Sequence, residues 1–257
     1  MTRQELPALL AAVIPCLDVS AGSCTDPVGI PGLTATADPV AVVAHYAGHG
    51  AARVFVDIID SWDEADLAVK VVEDLAGTGV ELIVSLGHGR VPSVDAAGRL
   101  LAAGAAALSV STGVVTDPDT VAGVVDTFGG HRVVGTVNAR EDRARGGWTV
   151  YVDDGHTPTG IPVAEFGRTL AGLGVGTVLA NSVDREGTGR GYDQELVRTL
   201  ADATGLPVIA SGGSRSVDHL WEGITGGGAT YVLANKMLHS GAVSLEDIRR
   251  SRAPRYR

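Results

Sequence analysis

Polar residues that could bind a substrate or carry protons recur at the ends of short apolar runs in this 257-residue sequence. Asp18, Asp57, Asn138, Asn181 and Ser211 each close a run rich in Val, Ile, Leu and Ala. A carboxylate can deliver or remove a proton, and an amide or a hydroxyl can orient a substrate through hydrogen bonds. Five such positions at one depth indicate a single active site, although an aspartate there could instead cap the next helix.

The stretch 206–215 suggests a second kind of chemistry, the binding of an anion. Its sequence is Leu-Pro-Val-Ile-Ala-Ser-Gly-Gly-Ser-Arg, and a helical pattern begins near Val217. Glycines such as Gly212 and Gly213 let backbone N–H groups approach a phosphate, and the start of a helix adds partial positive charge. A tight turn that needs glycine for its backbone angles would look the same. The surrounding architecture therefore has to decide between the two.

That architecture follows from eight apolar runs that alternate with eight helical patterns. We predict strands over Ala12–Asp18, Arg53–Asp57, Leu82–Leu86, Ala107–Val110, Arg132–Asn138, Thr177–Asn181, Pro207–Ser211 and Thr230–Ala234. We predict helices near 38–49, 62–77, 93–103, 117–127, 161–173, 193–204, 215–226 and 243–251. Strict alternation favours a parallel sheet, and eight units favour an α/β fold of the closed (β/α)₈ barrel (TIM barrel) type, as one domain over 1–257. An open doubly wound sheet is the alternative, but no GxGxxG turn follows an early strand.

A weak internal repeat of about 120 residues supports a barrel made of two half-barrels. Val-Ile-Pro-Cys-Leu-Asp18 matches Val-Val-Gly-Thr-Val-Asn138, and the glycines near Gly87 match those near Gly212. Two half-barrels would place Asp18 and Asn138 on opposite sides of the mouth. They would also place two phosphate loops there.

Composition narrows the possible partners. The net charge of −10 argues against a nucleic acid or an anionic membrane surface as partner. The two cysteines, Cys16 and Cys24, lack metal-ligand spacing, so we expect buried free thiols and no metal or other cofactor. No apolar run is long enough to span a membrane, and residues 1–5 do not resemble a signal peptide, so we expect a cytoplasmic protein.

Four motifs resemble a known family, the cyclase subunit of imidazole glycerol phosphate synthase in histidine biosynthesis. They are Ile14-Pro-Cys-Leu-Asp18-Val, Phe55-Val-Asp57-Ile, Ser182-Val-Asp184-Arg-Glu-Gly-Thr188 and Ile209-Ala-Ser-Gly-Gly213. The resemblance implies a (β/α)₈ barrel that uses ammonia from a glutaminase partner to close an imidazole ring and release aminoimidazole carboxamide ribonucleotide. It implies a substrate with two phosphates, and two aspartates, after strands one and five, as general acid and base.

The resemblance and the polar residues at the strand ends together predict a set of site residues. The catalytic candidates are Asp18 and Asn138, at the positions of the family's two aspartates, and Lys236, which with Asn235 stands after strand eight where the family usually has small residues. The candidates for binding substrate or phosphate are Asp57, Gly87, Gly89, Ser111, Thr112, Asn181, Asp184, Glu186, Gly187, Ser211, Gly212, Gly213 and Asn235.

The sequence departs from the family at positions that matter for chemistry. Asn138 stands where the second aspartate is expected, and its amide cannot exchange a proton near neutral pH. The loop after strand one lacks the family's lysine, and His88 interrupts the glycines after strand three. We expect His88 to lie on the surface. We also expect Asp153-Asp-Gly-His156 to form the solvent-facing turn of an inserted hairpin after strand five.

The opposite end of the barrel differs from the family as well. The family's charged gate for ammonia aligns with Ala12, Ala52, Ala107 and Thr177, none of which carries a charge. The sequence therefore argues against a glutaminase partner.

Three functions remain open. The chain is a divergent lyase or cyclase acting on a phosphorylated small molecule in a specialised pathway, a genuine cyclase of histidine biosynthesis, or a ligand-binding barrel without chemistry. In the first case Asp18 would be the remaining acid–base residue, and Lys236 would bind phosphate or act as a nucleophile.

Overall fold

Eight parallel strands form a closed barrel in the computed structural model, which describes residues 8–26, 28–33 and 38–252. The strands are β1 (Val13–Ser20), β2 (Ser23–Cys24), β3 (Arg53–Ile58), β4 (Glu81–Leu86), β5 (Ala105–Val110), β6 (Val133–Glu141), β7 (Trp148–Val152), β8 (Thr157–Pro162), β9 (Thr177–Ser182), β10 (Val208–Ser211) and β11 (Tyr231–Ala234). Around the barrel the order is β1, β3, β4, β5, β6, β9, β10 and β11, which pairs with β1 again. The β5–β6 pairing completes the ring, so the open doubly wound sheet is excluded.

Helices follow the barrel strands and cover them from outside. They are α1 (Leu9–Ala12), α2 (Pro39–Gly48), α3 (Ala65–Ala76), α4 (Val94–Ala102), α5 (Thr112–Thr116), α6 (Pro118–Phe128), α7 (Val163–Leu173), α8 (Gln194–Thr204), α9 (Val217–Thr225), α10 (Lys236–His239) and α11 (Leu245–Arg250). Polar caps explain where several of them begin. The side chains of Ser93, Asp193 and Ser216, for example, accept hydrogen bonds from the first turns of α4, α8 and α9.

The predicted barrel is confirmed, with strand and helix bounds that differ by a few residues. The prediction that the first strand begins at Ala12 is wrong, because Ala12 ends the short helix α1. The fourth strand begins at Ala105, two residues before the predicted start. The expected hairpin after strand five is β7–β8, which pairs antiparallel onto β6. The half-barrel repeat stays a prediction, although β1 and β6 do lie four strands apart, on opposite sides of the ring.

Four short elements, each of two to five residues, were not predicted from the sequence. They are β2, α1, α5 and α10. Cys24, expected in a loop, lies in β2, and both cysteines are free and buried as predicted. Among the described residues, no helix combines the length and apolar character that crossing a membrane requires.

The barrel interior is filled by a separate apolar cluster that forms the floor of the site. Side chains alternate along a strand, so every second residue points into the barrel. The cluster consists of Ile14, Cys16, Phe55, Ile83, Ala107, Val134, Leu179, Ile209 and Leu233, with Tyr231 packed against it. Polar residues two positions farther along the same strands therefore line the mouth above this floor.

Candidate active site

The predicted polar residues meet at the carboxyl ends of the barrel strands. Strand pairing sets Asp18 beside Asp57 on one side of the mouth, and Asn138, Asn181 and Ser211 side by side on the other. All five line one cavity of about 590 Å³. The sequence-based grouping is therefore reproduced by the fold.

Asp18 is half-buried and held by a neighbouring amide. Asn235 Nδ2 donates to Asp18 Oδ2 at 3.1 Å. Burial raises the pKa of Asp18, whereas the hydrogen bond from Asn235 opposes this rise, and the carboxylate of Asp26 adds to it. The Cys16 thiol, directed at Asp18 from below, has its pKa raised by burial and by the two neighbouring aspartates, so it remains a neutral thiol.

Asp57 is the second carboxyl group on the same side. Burial raises its pKa from 3.8 to about 7, and the carboxylates of Asp154 and Asp18 act in the same direction. A hydrogen bond with Ser85 and the proximity of His88 partly oppose the rise. Near neutral pH, Asp57 is therefore divided between its protonated and ionised forms.

Asn138, on the opposite side, belongs to a network of amides. Asn181 Nδ2 donates to Asn138 Oδ1 at 2.9 Å and to Glu186 Oε1 at 2.6 Å. Asn138 is buried, so this hydrogen bond satisfies a group that would be expensive to leave unpaired. The network can orient a substrate, but Asn138 cannot transfer a proton.

The segment Ser211–Arg215, which we call the second anion loop, needs its glycines for steric reasons. Gly212 and Gly213 have φ values of +89° and +95°. A Cβ atom at Gly212 would lie 2.5 Å from the Ser182 carbonyl oxygen, and one at Gly213 would lie 2.5 Å from that of Gly191. Glycine thus lets the loop pack tightly at the mouth.

The cavity wall beside this loop adds positive charge. Ser214, Arg215, Asn235 and Lys236 all line the cavity there. Within the described part of the chain, neither Arg215 nor Lys236 forms an ion pair. Both cations are therefore available to an anionic ligand at this side of the mouth.

The segment Gly87–Arg90, which we call the first anion loop, is arranged differently. Gly87, His88 and Gly89 have φ values of +58°, +60° and +68°, so a non-glycine residue adopts the left-handed conformation. The carbonyl oxygen of Gly89 accepts hydrogen bonds from the N–H groups of Ser111 and Gly113, at 3.0 and 3.1 Å. These two backbone donors are therefore already satisfied within the protein.

The turn of the β7–β8 hairpin lies against the first anion loop. Asp154 Oδ2 shares a hydrogen bond with His88 Nδ1, and Asp153 Oδ1 accepts from Arg90 Nη2 at 2.7 Å. The expectation of a surface His88 and a solvent-facing turn is therefore wrong in part, because His88 and Asp154 line the cavity. His156 is exposed, as expected. These two long-range contacts explain why a turn that looks like a surface feature lies at the mouth.

Three predicted site residues lie outside the cavity. Gly87 packs against Trp62, and Thr112 is fully buried, with its hydroxyl accepting from Asp153 N–H at 3.0 Å. Asp184 faces the hairpin instead, where its carboxylate accepts from the N–H of Glu141 at 2.7 Å. The remaining predicted residues line the cavity: Asp18, Asp57, Gly89, Ser111, Asn138, Asn181, Glu186, Gly187, Ser211, Gly212, Gly213, Asn235 and Lys236.

Several cavity residues were not predicted. Ser85, Ser109, Thr136, Asp154 and Arg215 also line the mouth, and Ser109 and Thr136 share a hydrogen bond of 2.7 Å. The period of two along a strand would have found Thr136, two positions before Asn138, and Ser109, two before Ser111. No such signal exists for Asp154, because its place depends on how the hairpin folds back.

The opposite end of the barrel carries charge, but not at the positions aligned with the family gate. Ala107 is buried in the barrel floor. Arg53, one residue after Ala52, pairs with Glu81 at 2.8 Å and stacks 5.0 Å above the ring of Tyr231. The absence of a glutaminase partner stays a prediction.

Among the described residues, no group of three or more His, Cys, Asp or Glu side chains is placed to hold a metal ion.

A family model described as "Histidine biosynthesis protein" matches residues 12–244. The match covers all eight barrel strands and every residue of the cavity described above.

Proposed function

Because the chain belongs to this family of histidine biosynthesis proteins, we propose that it is a divergent lyase or cyclase that acts on a phosphorylated small molecule. The observation that carries the proposal is the changed placement of proton carriers at the mouth. Asp18 is retained, Asn138 is tied into an amide network, and Asp57 beside Asp18 has a pKa of about 7.

Asp18 and Asp57 together supply what carbon–nitrogen bond chemistry requires. A nitrogen leaving group needs a proton, and ring closure needs a proton removed. Asp57, about half protonated at neutral pH, is suited to donate. Asp18 accepts a hydrogen bond from Asn235, which favours its ionised form and suits it to act as the base. Each positioned proton carrier is worth roughly 10²–10⁴-fold in rate.

The second anion loop would hold the phosphate of the substrate. Its close-packed glycines, Ser214 and Arg215, together with Lys236 at the start of α10, line the cavity. Inorganic phosphate and sugar phosphates are chemically suited to such a wall, because backbone donors and cations together compensate their charge. This arrangement supports Lys236 as a phosphate ligand rather than a nucleophile.

Complementation of a histidine auxotroph that lacks the cyclase separates this proposal from the genuine pathway enzyme. We expect the wild-type chain to fail, because Asn138 cannot serve as the second acid. The variant Asn138→Asp restores a carboxyl group at that position and serves as the matched comparison. Growth supported by the wild-type chain would contradict the divergent function and favour the histidine-pathway cyclase.

A direct binding experiment tests the phosphate assignment. We expect ribose 5-phosphate to raise the melting temperature and ribose to leave it unchanged, because only a ligand that binds the native state stabilises it. Lys236→Met should remove most of the shift. Lys70→Met, at the exposed lysine paired with Asp74 on α3, should retain it. Equal shifts in both variants would refute the placement of phosphate at the second anion loop.

A further inference from the structure

The two anion loops differ in what already binds them. The first anion loop carries the side chains of His88 and Arg90, and the cavity wall at the second anion loop carries Arg215 of that loop and Lys236 of α10. Both side chains of the first loop contact carboxylates of the hairpin turn, whereas Arg215 and Lys236 form no ion pair within the described residues. The first anion loop is therefore already bound by carboxylates of the protein, whereas the cations at the second anion loop form no such contact in the described part of the chain.

The hairpin turn forms hydrogen bonds with polar groups in and next to the first anion loop. Asp153 Oδ1 binds Arg90, Asp154 Oδ2 binds His88, and the Asp153 N–H donates to the hydroxyl of Thr112 at 3.0 Å. The backbone donors of Ser111 and Gly113 are bound to the carbonyl oxygen of Gly89. An incoming phosphate would have to displace the turn before it could bind the side chains of His88, Arg90 or Thr112.

The turn also resembles a phosphate in charge. Two carboxylates side by side carry a charge of about −2, close to that of a phosphate monoester at neutral pH. Asp153 and Asp154 both adopt left-handed backbone angles, φ +50° and +53°, in which Asp is tolerated better than most residues. Such conformations persist where surrounding contacts hold them, here through His88, Arg90 and Thr112.

We propose that the Asp153–Asp154 turn acts as a built-in anion that fills the first anion loop, so that this chain accepts substrates with one phosphate, bound at the second anion loop. The inference rests on the proposed function, that is, on a phosphorylated substrate. A second phosphate would meet two carboxylates of like charge at the first loop. The inserted hairpin thereby becomes a specificity-determining element.

Residue-resolved titration with inorganic phosphate tests the inference at each loop separately. Amide chemical shifts of Gly213 and Ser214 report on the second loop, and those of His88 and Gly89 report on the first. The comparison is between wild type and the double variant Asp153→Asn/Asp154→Asn, at constant ionic strength. Asn retains the tolerance for left-handed backbone angles, so the turn can keep its shape without its charge.

In the wild type we expect saturable shifts at the second loop, with binding at the first loop at least tenfold weaker. In the double variant, binding at the first loop should strengthen by at least tenfold, about 1.4 kcal/mol, while the second loop changes by less than twofold. The control Asp66→Asn/Asp74→Asn removes the same charge from exposed positions on α3 and should behave as the wild type.

Three outcomes would overturn the inference or its premise. Equal binding at both loops of the wild type would show that the turn does not exclude phosphate. An unchanged first loop in the double variant would show that the carboxylates do not control the site. Absence of binding at the second loop of the wild type would instead contradict the proposed function, and with it the inference.

Discussion

Replacing Asp57 with asparagine should stabilise the protein at alkaline pH and have little effect in acid. The folded state raises the pKa of Asp57 from 3.8 to about 7, mainly through burial. A carboxyl group whose pKa is raised stabilises the fold below its unfolded pKa, and this stabilisation is lost as pH rises through the folded pKa. The stabilisation by protonated Asp57 is therefore lost as the pH rises from about 4 to about 7, and above about pH 7 the buried carboxylate destabilises the fold by the full amount.

The size of the change in the free energy of unfolding follows from the pKa shift of Asp57. A difference of about three pKa units at about 1.36 kcal/mol each gives an upper limit of about 4 kcal/mol. Asp57 lies in the wall of an open cavity, where solvent screens part of the interaction, so we expect about 2 kcal/mol. Asparagine has nearly the same shape and no charge, which removes this loss while preserving the packing.

Urea denaturation followed by tryptophan fluorescence at pH 5, 7 and 9 measures the effect. The free energy of unfolding of Asp57→Asn should exceed that of the wild type by an amount that grows by about 1 kcal/mol from pH 5 to pH 9, because the rest of the loss has already occurred below pH 5. Asp66→Asn, an exposed position on α3, serves as the control and should follow the wild-type profile. Parallel profiles for Asp57→Asn and the wild type, or a gap that shrinks towards pH 9, would refute the assignment of a protonated Asp57.

Three further predictions concern the mouth and the thiols. Gly89→Ala should lower the free energy of unfolding, measured in urea, by at least about 2 kcal/mol more than Gly146→Ala does. Both glycines have positive φ, but only a Cβ atom at Gly89 would lie 2.6 Å from a backbone nitrogen, that of Ser111. Equal losses in the two variants would contradict this close contact. Asn181→Ala should lower the free energy of unfolding by about 1–3 kcal/mol in the same assay, because it leaves the buried side-chain amide of Asn138 without this hydrogen bond. An unchanged free energy would mean that water replaces the hydrogen bond. Burial raises the pKa of Cys24 from 9.0 to about 11 and that of Cys16 well above its ordinary value. Alkylation of the native protein at pH 8 should therefore be about 100-fold slower than that of the unfolded chain, and comparable rates would contradict burial of the thiols.

The fold and the ring of polar residues could be predicted because both depend on short-range patterns. Alternation along a strand fixes which residues face the barrel, so Asp18, Asp57 and Asn138 were placed correctly from their positions at the ends of apolar runs. The helical patterns placed the main helices to within a few residues. Such signals lie within a few residues of the feature that they determine.

The state of the first anion loop could not be predicted, because it depends on contacts between distant parts of the chain. His88 and Asp154 are separated by 66 positions, and Arg90 and Asp153 by 63. The sequence shows a loop with fewer glycines and a polar turn, each of which looks like a surface feature. The antiparallel pairing of the β7–β8 hairpin with β6 places its turn against the first anion loop.

The position of the second proton carrier has consequences for the geometry of the reaction. An acid and a base on β1 and β6 would act from opposite sides of a substrate that spans the mouth. Asp18 and Asp57 are register partners on neighbouring strands, so both would act on the same side. Under the proposed function, a phosphate at the second anion loop, which follows β10 two strands from β1, would confine proton transfer to one part of the cavity. This arrangement fits a substrate that is shorter than one with a phosphate bound at each anion loop. It agrees with the proposal that the hairpin turn fills the first anion loop.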